Sequence, residues 1–198
     1  MSNVPLELSL NERAGLPADL RYLVEKYPRE VWQEHQNLGE MARFWLQRHD
    51  MFRELSVALR TSVSDYREGK LDLESFARFF APRLRFFLQQ LHGHHQIEDM
   101  HYFPIFMEAE KRLKKGFDIL ENDHEVIHEA LERNHATARS FLQALHENSS
   151  RRRFAADECA KENDDLIVML TRHLADEEDL IVPVILDRGE DALGLNQG

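Results

Sequence analysis

His173-Leu174-Ala175-Asp176-Glu177-Glu178-Asp179-Leu180-Ile181-Val182-Pro183 repeats a pattern used earlier at His94-His95-Gln96-Ile97-Glu98-Asp99-Met100-His101-Tyr102-Phe103-Pro104: His-x3-Glu-[Asp/Glu]-x4-Pro. Residues four apart on a helix share a face, one turn above the other. Each copy therefore offers an imidazole and a carboxylate to one centre. Between the copies, His124-Glu125-Val126-Ile127-His128 adds two histidines one turn apart. This is the spacing of a binuclear metal site carried on helices.

The flanking sequence supplies those helices. Leu38, Met41, Ala42, Trp45, His49, Phe52, Leu55 and Leu59 recur at the three- and four-residue spacing of a buried stripe, on a helix expected to start near Pro28. A second helix is expected over 72–114 with Leu84, Phe87, Leu91, His94 and Glu98 facing inward, bent by Pro82 and Pro104 and closed by Gly116. A third carries Phe117, Leu120, His124, His128, Leu131 and Leu142. After a loop at Asn148-Ser149-Ser150, a fourth carries Leu166, Met169, Leu170, His173, Glu177, Ile181 and Val184. Ahead of them, Ala18 to Glu25 reads as a short helix closed by Tyr27-Pro28. Short connections between long helices predict antiparallel neighbours. The expected fold is all-α: one domain over 1–198, an up-down-up-down antiparallel four-helix bundle at about 28–187. A short N-terminal helical extension (1–27) precedes it, and a tail (188–198), patternless from Gly189, follows.

Composition narrows the function. Eight glycines and six prolines in 198 residues suit long helices. A formal net charge of −11 argues against nucleic acid, which needs a basic footprint, and against an anionic membrane surface. No apolar run has the length of a membrane span. The first residues, MSNVPLELSLNERAG, lack the basic-then-apolar layout of a signal peptide. Cys159, the single cysteine, cannot form an internal disulfide and reads as a small core residue, which points to a cytoplasmic location.

The donors form an ordered set. His94 follows His49 by 45 residues and His173 follows His128 by 45, as if two helical hairpins each ended in the repeated motif. His124 has no counterpart, because Trp45 stands at the matching position. Five histidines and two carboxylates are too many donors for one ion, since a structural zinc site closes with four. Two ions sharing Glu98 and Glu177 use them all: His124, His128 and His173 on one, His49 and His94 on the other. The second ion then keeps an open position, beside which Trp45 is expected as an apolar pocket wall without a proton donor. Such a position suits a small neutral ligand such as O₂ or NO. Imidazole-rich sites accept iron, zinc, copper or nickel. Two alternates keep the same spacing, His95 for His94 and Glu178 for Glu177. His135 continues the inward stripe as a core or supporting residue, and His35, His92, His101 and His146 read as surface histidines.

His49, His94-x3-Glu98, His124-x3-His128 and His173-x3-Glu177 together resemble the hemerythrin-like (HHE cation-binding) family over roughly Pro28 to Ile185. The stretch from Phe44 to Arg53 is similar to the first helix of bacterial members. The resemblance implies a left-handed four-helix bundle around a non-haem di-iron centre, two iron ions with an oxo or hydroxo bridge, and reversible O₂ binding at the open iron. Members serve in oxygen storage, transport and sensing, and some handle peroxide, nitric oxide or iron; the protein partner of a sensing module is not named by the sequence. In the marine-invertebrate oxygen carriers the last bridging carboxylate lies five residues after its histidine, here Glu178. Symmetry with Glu98 and Pro104 selects Glu177. The iron–sulfur repair branch is also similar around Leu23-Val24-Glu25-Lys26-Tyr27, but it carries a histidine where this chain has Pro28 and lacks one at His128.

Two other classes use the same residue types. His124-Glu125-Val126-Ile127-His128 fits the H-E-x-x-H signature of zinc hydrolases, with Glu125 as base, but leaves His49, His94 and Glu98 without a task. A ferritin-like di-iron oxidase uses Glu-x-x-His pairs, such as Glu98 with His101 or Glu132 with His135, but leaves the repeated motif as coincidence.

Overall fold

A computed structural model of the chain describes residues 5–147 and 150–195, and among these every regular element is helical. Four helices are long: α3 (Glu40–Arg67), α4 (Leu73–Ile97), α6 (Lys114–His146) and α7 (Arg152–Arg188). The short ones are α1 (Tyr22–Lys26), α2 (Arg29–Trp32), α5 (Phe103–Ala109) and α8 (Glu190–Leu193). The expected loop at Asn148-Ser149-Ser150 falls on 148–149, outside the described residues.

Several boundaries differ from the sequence reading, each for a local reason. Pro28 precedes the single turn of α2, and α3 begins only at Glu40. The expected second helix is broken between α4 and α6. At Glu98–Tyr102 it opens into a π turn, in which the Phe103 N–H bonds to the Glu98 carbonyl five residues back. Pro104 follows directly. It has no N–H to give the carbonyl four residues back and its ring crowds that carbonyl, so the wider turn relieves the conflict. Pro183, its counterpart in the second copy, sits inside a continuous α7. The chain then turns at Glu110–Leu113, whereas Gly116 lies within α6. A Cβ on Gly116 would come within 2.7 Å of Leu180 Cδ1, so glycine there allows a close helix approach. Within the described part of the tail, α8 is framed by Gly189 and Gly194, both at positive φ.

The chain divides into two compact units. Unit 1 comprises 1–50, 95–125 and 171–198; unit 2 comprises 51–94 and 126–170. In unit 2 the core is aromatic, with Phe76 stacked on Phe80 at 4.9 Å between ring centroids and Phe141 5.3 Å from Phe76. Asp72 starts α4 by accepting the Ser75 N–H at 2.8 Å. The Arg60–Asp164 and Arg67–Asp157 ion pairs are exposed and worth about 0–1 kcal/mol each.

Unit 1 is built around Leu20, Leu23, Trp32, Trp45, Phe103, Phe106, Phe117, Leu180 and Ile185, all buried. Its N-terminal segment is tied down by charged bonds rather than by helix length. Lys26 and Tyr27 both donate to Asp187, at 2.7 and 3.0 Å. At the other end of the sequence, Glu190 caps α3: Oε1 accepts the Ala42 N–H at 2.8 Å and Oε2 the Met41 N–H at 3.3 Å. These are first-turn donors with no partner inside the helix. Gly39 makes room, since a Cβ there would lie 2.1 Å from Glu190 Oε2.

Candidate metal centre

Within unit 1, α3, α4, α6, α7 and the π turn direct their donors to one place. One donor atom each from His95, His124 and His173 lies within 4.8 Å of the others, and the same holds for His49, Glu98 and Glu177. All six residues are buried, with His49, His173 and Glu177 at 0 % exposure. The two groups adjoin through the carboxylates. Glu177 Oε2 is 3.3 Å from His173 Nε2 and 3.7 Å from His49 Nε2, and Glu98 Oε2 is 3.6 Å from His124 Nε2.

The other ring nitrogen of three of these histidines is held from behind by a carboxylate. His49 Nδ1 donates to Glu178 Oε1 at 3.0 Å, His124 Nδ1 to Asp99 Oδ1 at 2.7 Å, and His173 Nδ1 to Asp123 Oδ2 at 3.3 Å. A proton fixed on Nδ1 leaves the Nε2 lone pair pointing inward, the arrangement of metal-ligating imidazoles. The acid that follows each inward glutamate in the repeated motif thus has its own task. Asp99 and Glu178 face away from the centre and orient histidines of other helices, so Glu177 rather than Glu178 faces inward.

Electrostatics give the same picture. Burial, together with the charge of Glu177 and a hydrogen bond to it, holds the Glu98 carboxyl well above the usual carboxylate range. Burial pulls His173 down, but hydrogen bonds to Asp123 and Glu177 outweigh it and raise its pKa to about 9. His124 is lowered, chiefly by burial. Protons therefore sit where two dry carboxylates and facing imidazoles need positive charge. Deprotonated imidazole nitrogens and buried carboxylates are also the donor set of a divalent transition metal, so the residues fit such an ion without rearranging their supports.

Not every expected donor is gathered here. His128 is exposed, its ring 5.3 Å from that of His92, while His95, the alternate to His94, is buried and stacked on His124 at 4.0 Å between centroids with planes 7° apart. His94, by contrast, is grouped as expected: half-buried with its ring 5.2 Å from that of Phe52, it offers a nitrogen within 4.8 Å of donor atoms of His49, Glu98 and Glu177. His135 and His101 are exposed, as is Glu125 of the H-E-x-x-H stretch. Trp45 differs from the apolar wall expected of it. It is buried, but its indole N–H reaches Glu177 Oε1 and His49 Nε2, each at 2.9 Å, so it supplies the donor that the sequence reading denied it. Tyr102 and Phe106 pack on the indole at 5.0 and 6.0 Å.

Arg13 and Arg29 had no place in the sequence reading. Arg13 donates to Asp123 through both terminal nitrogens, one at 2.7 Å, and through Nε to Asp176 at 2.8 Å. Arg29 Nη1 donates to Glu178 Oε2 at 2.6 Å. Burial pushes the Asp123 carboxyl up, but the hydrogen bonds from Arg13 and His173, with their charges, together outweigh it and hold Asp123 below its usual value.

Buried imidazoles backed by carboxylates around two inward glutamates define an all-helical metal-binding protein. The model of the hemerythrin HHE cation-binding domain matches residues 40–185, most of the chain, and the protein belongs to that family. No curated protein and no solved structure matches it. Among the described residues no helix is long and apolar enough to cross a membrane.

Proposed function

We propose that the protein holds two iron ions at this centre and binds O₂, or a similar small ligand such as NO or peroxide, for oxygen binding or sensing. The observation that carries the reading is the convergence of His49, His124 and His173, each with Nδ1 fixed by a carboxylate, on Glu98 and Glu177. Glu98 and Glu177 are the shared carboxylates. His95, His124 and His173 supply three nitrogens to one ion. His49 supplies one to the other, joined by His94, which lies one turn before Glu98 in α4. The reading carries with it the up-down arrangement of the four long helices.

Iron, if bound, would supply the electrons and a position for the small ligand. The chain does the rest. Glu178, Asp99 and Asp123 keep the imidazole lone pairs turned inward. Phe103, fully buried with its ring 5.4 Å from that of His124, and Phe106 keep water from the donors. Trp45 donates its indole N–H to Glu177 Oε1, with Nε1 2.9 Å from that oxygen, and holds that N–H within reach of a small polar ligand on the His49 side.

Anaerobic loading with ferrous iron, a metal count per chain, and visible spectra before and after air test the reading. Two irons per chain with a coloured band that fades under argon are expected. Two irons that oxidise once, without a reversible band, replace oxygen binding by oxidase, peroxide-handling or iron-handling chemistry. Zinc uptake in place of iron overturns the di-iron assignment.

A further inference from the structure

The family match begins at residue 40, yet two arginines ahead of it reach the supports of the metal centre. Arg13, with 1 % of its side chain exposed, lies between Asp123 and Asp176, and Asp123 in turn holds His173 Nδ1 at 3.3 Å. Arg172 donates to the Arg13 carbonyl and fixes the backbone at that point. Arg29 Nη1 meets Glu178 at 2.6 Å, its Nε meets Asp179 at 2.9 Å and its Nη2 the Ala175 carbonyl at 2.9 Å, while Glu178 holds His49 Nδ1 at 3.0 Å. Two separate chains of bonds thus run from the N-terminal segment, through a carboxylate, to an imidazole that faces the centre. A guanidinium presents several donors in a rigid fork, so each arginine sets the orientation of its carboxylate as well as its charge.

We propose that the N-terminal segment 5–38 is a working part of the metal centre. Arg13 and Arg29 are positioning residues that fix Asp123 and Glu178, and through them the donor nitrogens of His173 and His49, so that seating of this segment and metal binding favour one another. The inference rests on the metal-binding reading above. Coupling between two binding events is reciprocal: whatever factor the seated segment adds to metal affinity, the metal adds to its seating.

The test compares the full chain with Arg29→Gln, Arg29→Lys and Lys26→Gln, titrating Zn²⁺ and, anaerobically, Fe²⁺ against a chromogenic chelator. Replacing the outer partner of a ligating histidine costs roughly 10–100-fold in metal affinity, and Arg29 acts one bond further out, so about a tenfold loss is expected for Arg29→Gln. Arg29→Lys, which keeps the charge and loses the fork, recovers part of it. Lys26→Gln removes another anchor of the same segment, the exposed 2.7 Å pair with Asp187, and leaves affinity unchanged. Arg13→Gln, checked for helix content by circular dichroism, weakens binding as well. Amide exchange across 5–38 slows on Zn²⁺ loading by a factor similar to the affinity lost. Equal affinity of wild type and Arg29→Gln overturns the proposal while leaving the metal centre intact, and equal losses from Arg29→Gln and Lys26→Gln reduce the segment to a plain anchor. No uptake of either ion by wild type removes the metal-binding reading and this inference together.

Discussion

His124 and His173 hold their Nε2 atoms 3.2 Å apart while each gives its Nδ1 to a carboxylate. Two imidazole lone pairs cannot face each other at that distance without something positive between or beside them. In the metal-free protein a proton on His173 meets that need, and a bound cation would take its place.

The sign of the resulting pH dependence follows. His173 has its pKa raised to about 9 in the folded chain, against 6.5 for a free imidazole. Its contribution to stability is complete below about pH 6.5 and is lost as pH rises through about 9. Glu98, also raised, acts in the same direction from its ordinary value of 4.5 upward. The metal-free protein therefore loses thermal stability between pH 6.5 and 9. Once an ion has displaced these protons, that slope disappears. Melting curves of both forms across this range check it, and a flat metal-free profile contradicts it.

Substitution at two histidines separates the gathered donors from the sequence expectation. His95→Ala removes a buried ring within the His95, His124 and His173 group, and the metal count per chain falls. His128→Ala changes an exposed ring and leaves the count as in wild type. The reverse result restores His128 as the ligand.

Trp45→Phe keeps an aromatic ring at a buried position and deletes the N–H that Glu177 accepts. The metal-free protein loses about 2–4 kcal/mol, combining a hydrogen bond to a charged group with the smaller ring. Urea unfolding measures it. A change below about 0.5 kcal/mol, the range of an uninvolved surface position, means the bond contributes nothing.

Two glycines give opposite results with alanine. Gly39→Ala puts a Cβ 2.1 Å from the Glu190 carboxylate and pushes it off the Met41 and Ala42 N–H groups, costing about 1–2 kcal/mol, as for a lost helix cap. Gly93, inside α4 with nothing within 4 Å of an added Cβ, gains about 0.5–1 kcal/mol from the same change. Urea midpoints of the two variants move in opposite directions.

Periodicity made the four long helices legible. The stripe from Leu38 to Leu59 and that from Leu166 to Val184 lie wholly in buried or half-buried positions, because a buried helix face leaves its mark every three or four residues. His128 broke the rule of spacing. It keeps the four-residue interval from His124 yet is exposed, while His95, the neighbour of His94 in α4, is buried: spacing marks a helix face, and packing decides how far along it the side chains turn inward. The π turn at Glu98–Tyr102 was hidden as well, since Pro104 signalled a bend without saying that the turn would widen. Asp99 and Glu178 stood in plain view as the second acid of each motif. Their role needed the third dimension, because the histidines they hold belong to other helices. Arg13 and Arg29 carry no periodic signal at all, for their partners lie 110 to 163 residues away along the chain.

The cap that Glu190 places on α3 has a consequence in time. The N–H groups it covers, at Met41 and Ala42, leave the ribosome about 150 residues before it does, and as first-turn donors they have no partner within α3 itself. Contacts spanning that much chain pay a large closure entropy before they return anything. The helix bearing Trp45 and His49 therefore gains its fixed starting point only when α8 reaches it, long after α3 itself has been made.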